Sequence, residues 1–141
     1  MKTLTVALPG RSYDILIERG LLAQAGAHCR KVLPRAERLF VVTDSNVGPL
    51  YLDRVCAGLE GAGFQVTAHT VPAGEGAKCA GRLSELWEAM MAAGLTRTDA
   101  VVALGGGVVG DLAGFVASIY YRGIPFMQIP TTVVAQVDSS V

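Results

Sequence analysis

Two stretches of alternation open the chain. Thr3-Leu4-Thr5-Val6-Ala7-Leu8 and Tyr13-Asp14-Ile15-Leu16-Ile17-Glu18 place apolar residues two apart, with Pro9-Gly10 between them. This pattern predicts a pair of strands joined by a turn. Leu21 to Val32 reads as a helix halted by Pro34. Leu39 to Thr43 is a continuous apolar strand of the kind buried on both faces of a parallel sheet. Leu52, Val55, Cys56 and Leu59 then recur at helical spacing up to Gly61-Ala62-Gly63, and Phe64 to Val71 reads as the next strand. Leu83, Leu86, Trp87, Met90 and Met91 mark another amphipathic helix ending near Gly94; its Trp–Met stripe is read as core. Ala100 to Leu104 is a strand, Val108 to about Tyr120 an almost wholly apolar helix, and Phe126 to Ile129 a last strand. Strands alternating with helices predict one α/β domain over residues 1–141, built on a parallel sheet.

The turn after Leu104 carries the clearest chemistry. Gly105-Gly106-Gly107-Val108-Val109-Gly110 fits the GxGxxG spacing, follows a strand and opens a helix. Glycines let the backbone approach a pyrophosphate, and the free N–H groups of a helix start solvate its charge. Gly110 and Gly114, four apart, would also let the helix lie close on the sheet. An ordinary dinucleotide fingerprint has an acid about 20 positions further on; here that strand ends in Pro130-Thr131-Thr132. Asp44, at the end of an earlier strand, is the best ribose-binding acid, with helix capping as its competing role. Glu75, Lys78, Thr131, Thr132, Gln136 and Asp138 also follow strand ends, where open α/β sheets bind ligands. Arg122 stands between the apolar helix and the last strand, where a helix C-terminal charge is the competing reading.

Composition narrows the classes. Twelve Lys and Arg residues balance twelve Asp and Glu, and charged residues are only 17% of the chain. Such a balance lacks the electrostatic footprint of a nucleic-acid binder, and the apolar content excludes a disordered chain. The uncharged run between Arg122 and Asp138 is fifteen residues with two prolines, shorter than the roughly 20 a membrane span needs. The opening residues lack the pattern of a signal peptide. Cys29, Cys56 and Cys79 form no CxxC pair and are read as small buried hydrophobes in a reduced protein. His28 and His69 show no ligand-like spacing.

The motifs Gly105-Gly106-Gly107-Val108-Val109-Gly110-Asp111-Leu112-Ala113-Gly114-Phe115, Tyr120-Tyr121-Arg122-Gly123-Ile124 and Gln128-Ile129-Pro130-Thr131-Thr132, with Ala135-Gln136-Val137-Asp138-Ser139-Ser140-Val141, resemble the amino-terminal half of the 3-dehydroquinate synthase family. These are sugar-phosphate cyclases of the shikimate pathway. Thr43-Asp44-Ser45-Asn46-Val47 and Gly74-Glu75 with Lys78 extend the resemblance. It implies a Rossmann-like sheet with helices on both faces, an amino-terminal strand pair, and NAD as cofactor. By the resemblance, Asp44 and Asn46 hold the adenosine end, with Glu75 and Lys78 nearby. Gly106, Gly107 and Val108 cradle the pyrophosphate, Asp111 faces the nicotinamide side, and Thr131 and Thr132 touch the cofactor further along. Asp138 lies at the junction of substrate and nicotinamide, and Arg122 reaches the substrate phosphate across a dimer interface.

The resemblance also implies that the family's chain continues past Val141 into a helical half holding zinc, or another divalent metal such as cobalt. No metal ligand is therefore expected in residues 1–141, and these residues alone are expected to lack synthase activity. The full-length protein is expected to be a cytoplasmic homodimer acting on a sugar phosphate, with no nucleic-acid or membrane partner. Another sugar-phosphate cyclase, a metal-dependent polyol dehydrogenase of the same fold, or a non-enzymatic nucleotide-binding module remain the alternatives.

Overall fold

The computed structural model describes residues 1–141. Strands β1 (Lys2–Val6) and β2 (Tyr13–Ile17) pair antiparallel, with Leu4 opposite Ile15 and Val6 opposite Tyr13. Gly10, at φ 72°, takes the turn between them. A 3₁₀ turn at Leu21–Gln24 then leads into α1 (Ala25–Val32), so the predicted first helix begins in tighter form.

The body follows as β3 (Arg38–Asp44), α2 (Gly48–Gly61), β4 (Gln65–Val71), α3 (Ala80–Ala92), β5 (Ala100–Gly105), α4 (Gly107–Ile119), β6 (Phe126–Pro130) and the short α5 (Val133–Val137). Its sheet runs in the order β4-β3-β5-β6, every pair parallel. Apolar runs occupy the centre: Leu39 to Thr43 and all of β5 are buried. β4 reads Gln-Val-Thr-Ala-His-Thr-Val and is largely exposed, as an edge strand tolerates.

Each face of the sheet has its own core. Phe40, Val42, Val101 and Ala103 meet Leu86 and Met90 of α3 and Val109, Leu112, Ala113 and Val116 of α4 on one side. Leu39, Val41, Ala100, Val102 and Leu104 meet Cys29 of α1 and Val55 and Leu59 of α2 on the other. α4 lies close on the sheet because its glycines permit it: a Cβ at Gly114 would stand 3.1 Å from Phe126, and one at Gly110 would stand 3.4 Å from Gln128.

Two expectations are corrected here. Trp87 is 46% and Met91 62% exposed. The stripe on α3 is wider than the arc that reaches the sheet, so Leu86 and Met90 enter the core and Trp87 and Met91 stay outside. Of the cysteines, Cys29 is buried, Cys56 half-buried and Cys79 exposed. Cys79 is the N-cap residue of α3, beyond the part of the helix that packs. Burial pushes the Cys29 thiol up to about 11 against the opposing charge of Arg30, which keeps it neutral and inert at pH 7. His69 bonds Glu85 across 2.7 Å and stacks on Phe40, while the buried Nε2 of His28 has no partner.

Candidate dinucleotide site at the carboxyl edge

The strand order reverses between β3 and β5. From β3 the chain moves outward through α2 to β4; from β5 it moves the other way through α4 to β6. α2 and α4 lie on opposite faces, so a crevice opens between the carboxyl ends of β3 and β5, where open α/β sheets bind ligands. Asp44 closes β3 on one side of it, and the turn Gly105-Gly106 closes β5 on the other.

Asp44 is not the N-cap of α2, a position that Val47 takes, but it closes the turn just before that helix. Its Oδ1 accepts from the N–H groups of Asn46 (2.9 Å) and Val47 (2.8 Å), which fixes the entry to α2. Both bonds use one oxygen, which leaves Oδ2 for an outside hydroxyl. Ser45 ties this end to β4: its N–H donates to the Val71 carbonyl, and its hydroxyl accepts from Ala73 N–H.

Gly105 has no alternative. A Cβ there would stand 2.8 Å from one Val109 methyl and 2.9 Å from the Val109 Cβ, closer than carbon atoms approach. Gly106 caps α4 with no side-chain bond to the helix start. The amides of the first turn therefore face outward unclaimed, the condition for binding an anion. Thr132 caps α5 by accepting from Ala135 N–H at 3.1 Å, and Thr131 Oγ1 is buried beside the turn without a partner. An open backbone cradle, an orphaned hydroxyl and a half-free carboxylate fit a pyrophosphate flanked by ribose.

On the α3 side of the turn the fold brings Asp111 to Glu75 and Lys78, two charges of a single short loop more than thirty residues earlier in the chain. Lys78 Nζ meets Asp111 Oδ2 at 2.5 Å and Glu75 Oε2 at 3.4 Å. The bond to Asp111, with help from Glu75, raises the Lys78 pKa above its ordinary value. Beside this cluster runs a groove of about 330 Å³ between α3 and α4, walled by Leu83, Leu112 and Phe115. On the β6 side, Ser139 and Ser140 fold against Gly105, Gly106, Gly110 and Gln128, leaving about 10 Å³ between them. Asp138 ends α5 on this edge, exposed.

Arg122 stands elsewhere. It follows the far end of α4, about 18 Å along the helix from the glycine turn. Its backbone is left-handed at φ 63°, as is Tyr121 at φ 47°, conformations that cost of order 1 kcal/mol each in non-glycine residues. The turn holds Arg122 exposed at the amino edge, with no acid within ion-pair distance. Sequence reasoning missed Ser45, Gln128 and the pairing of Lys78 with Asp111. Only the polar Ser45 beside Asp44 offered a local signal.

The family model for the amino-terminal part of 3-dehydroquinate synthase matches residues 68–141. A 3-dehydroquinate synthase of Streptococcus suis is 51% identical over 98% of this chain and 39% of its own length. A solved 2-deoxy-scyllo-inosose synthase in complex with carbaglucose-6-phosphate, NAD+ and Co2+ is 25% identical at TM-score 0.86, over 98% of this chain and 38% of that one. The 2-epi-5-epi-valiolone synthase of Streptomyces hygroscopicus subsp. jinggangensis, with NAD+ and Zn2+ bound, is 34% identical at TM-score 0.80, over 96% of this chain and 37% of that one. The chain thus spans about two fifths of the length of the relatives it matches.

Proposed function

The chain belongs to the 3-dehydroquinate synthase family, and from that premise we propose that residues 1–141 are the NAD-binding part of an enzyme converting 3-deoxy-D-arabino-heptulosonate 7-phosphate to 3-dehydroquinate and phosphate. The observation that carries this reading is the crevice at the strand reversal, with Asp44 on one side and the uncapped glycine turn on the other. NAD, when bound, supplies reversible hydride transfer at a ring hydroxyl of the substrate.

The chain's own residues bind and orient. In this reading the amides of Gly106, Gly107 and Val108 hold the pyrophosphate, and the free oxygen of Asp44 takes a ribose hydroxyl beside Asn46. Glu75, Lys78 and Asp111 border the cofactor along α3 and α4, Thr131 and Thr132 border it along β6, and Asp138 faces the substrate. Arg122 is too far from its own crevice to share it. We assign it to the substrate phosphate of a second copy, which makes the working assembly a homodimer. His, Cys, Asp and Glu side chains form no cluster here that could hold a metal ion. The divalent metal of the cyclase relatives is therefore not assigned to these residues. No helix is long and apolar enough to cross a membrane, and we place the enzyme in the cytoplasm.

Calorimetric titration with NAD+ tests the reading: saturable binding at one site per chain is expected, and none at millimolar cofactor overturns it. Phosphate release from the heptulosonate substrate is expected from the family-length protein and not from residues 1–141 alone.

A further inference from the structure

The charges along the carboxyl edge are unbalanced. Asp44, Glu75, Asp111 and Asp138 are acids there, and Lys78 is the base among them. Arg82, in the first turn of α3, does not shift the balance, because it is spent on Glu85 at 2.7 Å. Four negative charges against one positive leave the edge at −3. Lys78 neutralises one of its two carboxylate partners and cannot neutralise both.

Resting on the reading above, we propose that this edge discriminates between the oxidation states of the dinucleotide, favouring the oxidised form, and that the Glu75–Lys78–Asp111 cluster sets the preference. The two forms differ by one positive charge on the nicotinamide ring. With the pyrophosphate dianion, the oxidised cofactor carries −1 and the reduced one −2. An edge at −3 repels the second more than the first. Water screens the exposed side of the cluster, but the apolar groove of Leu83, Leu112 and Phe115 flanks Lys78 and Asp111 directly. Those side chains replace part of the water around the pair, while Lys78, Glu75 and Asp111 all stay a third or more exposed, so the field of the edge is a screened one that salt weakens further. Asp111, 49% exposed, is the more effective acid; Glu75, 79% exposed, is the weaker.

The test compares dissociation constants for NAD+, by calorimetry, and NADH, by its fluorescence, at low and high salt. The ratio of the NADH constant to the NAD+ constant is expected above one. It should fall in Asp111→Asn by about threefold at most, because water and salt screen a single half-exposed charge. A smaller fall is expected in Glu75→Gln, and a rise in Lys78→Gln, where the edge gains net negative charge. Added salt should draw all the ratios toward one. A ratio that stays within error across the three variants while both forms bind overturns the discrimination and leaves the proposed function intact. Failure of the unmodified chain to bind either form overturns the proposed function, and this inference with it.

Discussion

At the amino edge of the sheet Asp99 is 1% exposed and has no capacity left. Its Oδ1 accepts from the N–H groups of Glu37 (3.0 Å) and Arg38 (2.9 Å), and its Oδ2 from the N–H (2.8 Å) and hydroxyl (3.1 Å) of Thr96. At the carboxyl edge the same residue type is left unfinished. Asp44 commits one oxygen, Asp111 pairs only with the ammonium of Lys78, and Asp138 bonds through its backbone. The difference separates two uses of a carboxylate. A saturated, buried one locks the starts of β3 and β5 together, because four donors offset its desolvation. An unsaturated, exposed one adds little to the fold and stays available to a ligand.

The largest expected effect lies at the saturated end. Asp99→Ala removes the shared acceptor of three part-buried N–H groups, those of Glu37, Arg38 and Thr96, and should lower the unfolding free energy by about 3 kcal/mol in a denaturant titration. A loss under 1 kcal/mol would end the contrast. Burial alone would raise the Asp99 pKa, but the donors of Arg38, Thr96 and Glu37 together outweigh it and hold the folded value below the ordinary one. Its stabilisation is therefore complete above about pH 4 and fades as pH falls through the folded value. Asp99→Ala should accordingly narrow its gap to the unmodified chain in acid.

Gly105→Ala should come next, at about 1–3 kcal/mol of destabilisation from the forced contact with Val109. A melting temperature equal to that of the unmodified chain would show that α4 has room to shift and that the turn is not sterically fixed. The smallest effect should be Asp111→Asn, whose melt is expected to overlay the unmodified one, since exposed pairs contribute little. Were it to melt as early as Asp99→Ala, the carboxyl edge would be structural like the amino edge.

Much of this was legible along the chain because it is local. Strand alternation, the 3.6-residue helical period, the turn at Gly10 and the strand–glycine–helix transition at Leu104 to Gly110 depend on neighbours within a few residues. The candidate site was half legible on the same ground: Asp44 and the glycines announce themselves by following strands. Trp87 and Met91 misled because a helical stripe says which side is apolar, not how much of that side another element covers.

By itself, then, the sequence determined the order and kind of the elements, the apolar centre of β3 and β5, and the backbone cradle at Gly106. Backbone geometry and hydrophobic period act at short range, so one strand of text carries them. Tertiary structure alone decided that Lys78 would meet Asp111, that Asp99 would close the amino edge, and that Arg122 would stand a helix length from its own crevice. Those outcomes depend on which strands become neighbours and on which face each connecting helix crosses. Both are set by the packing of the whole sheet, beyond the reach of any local window.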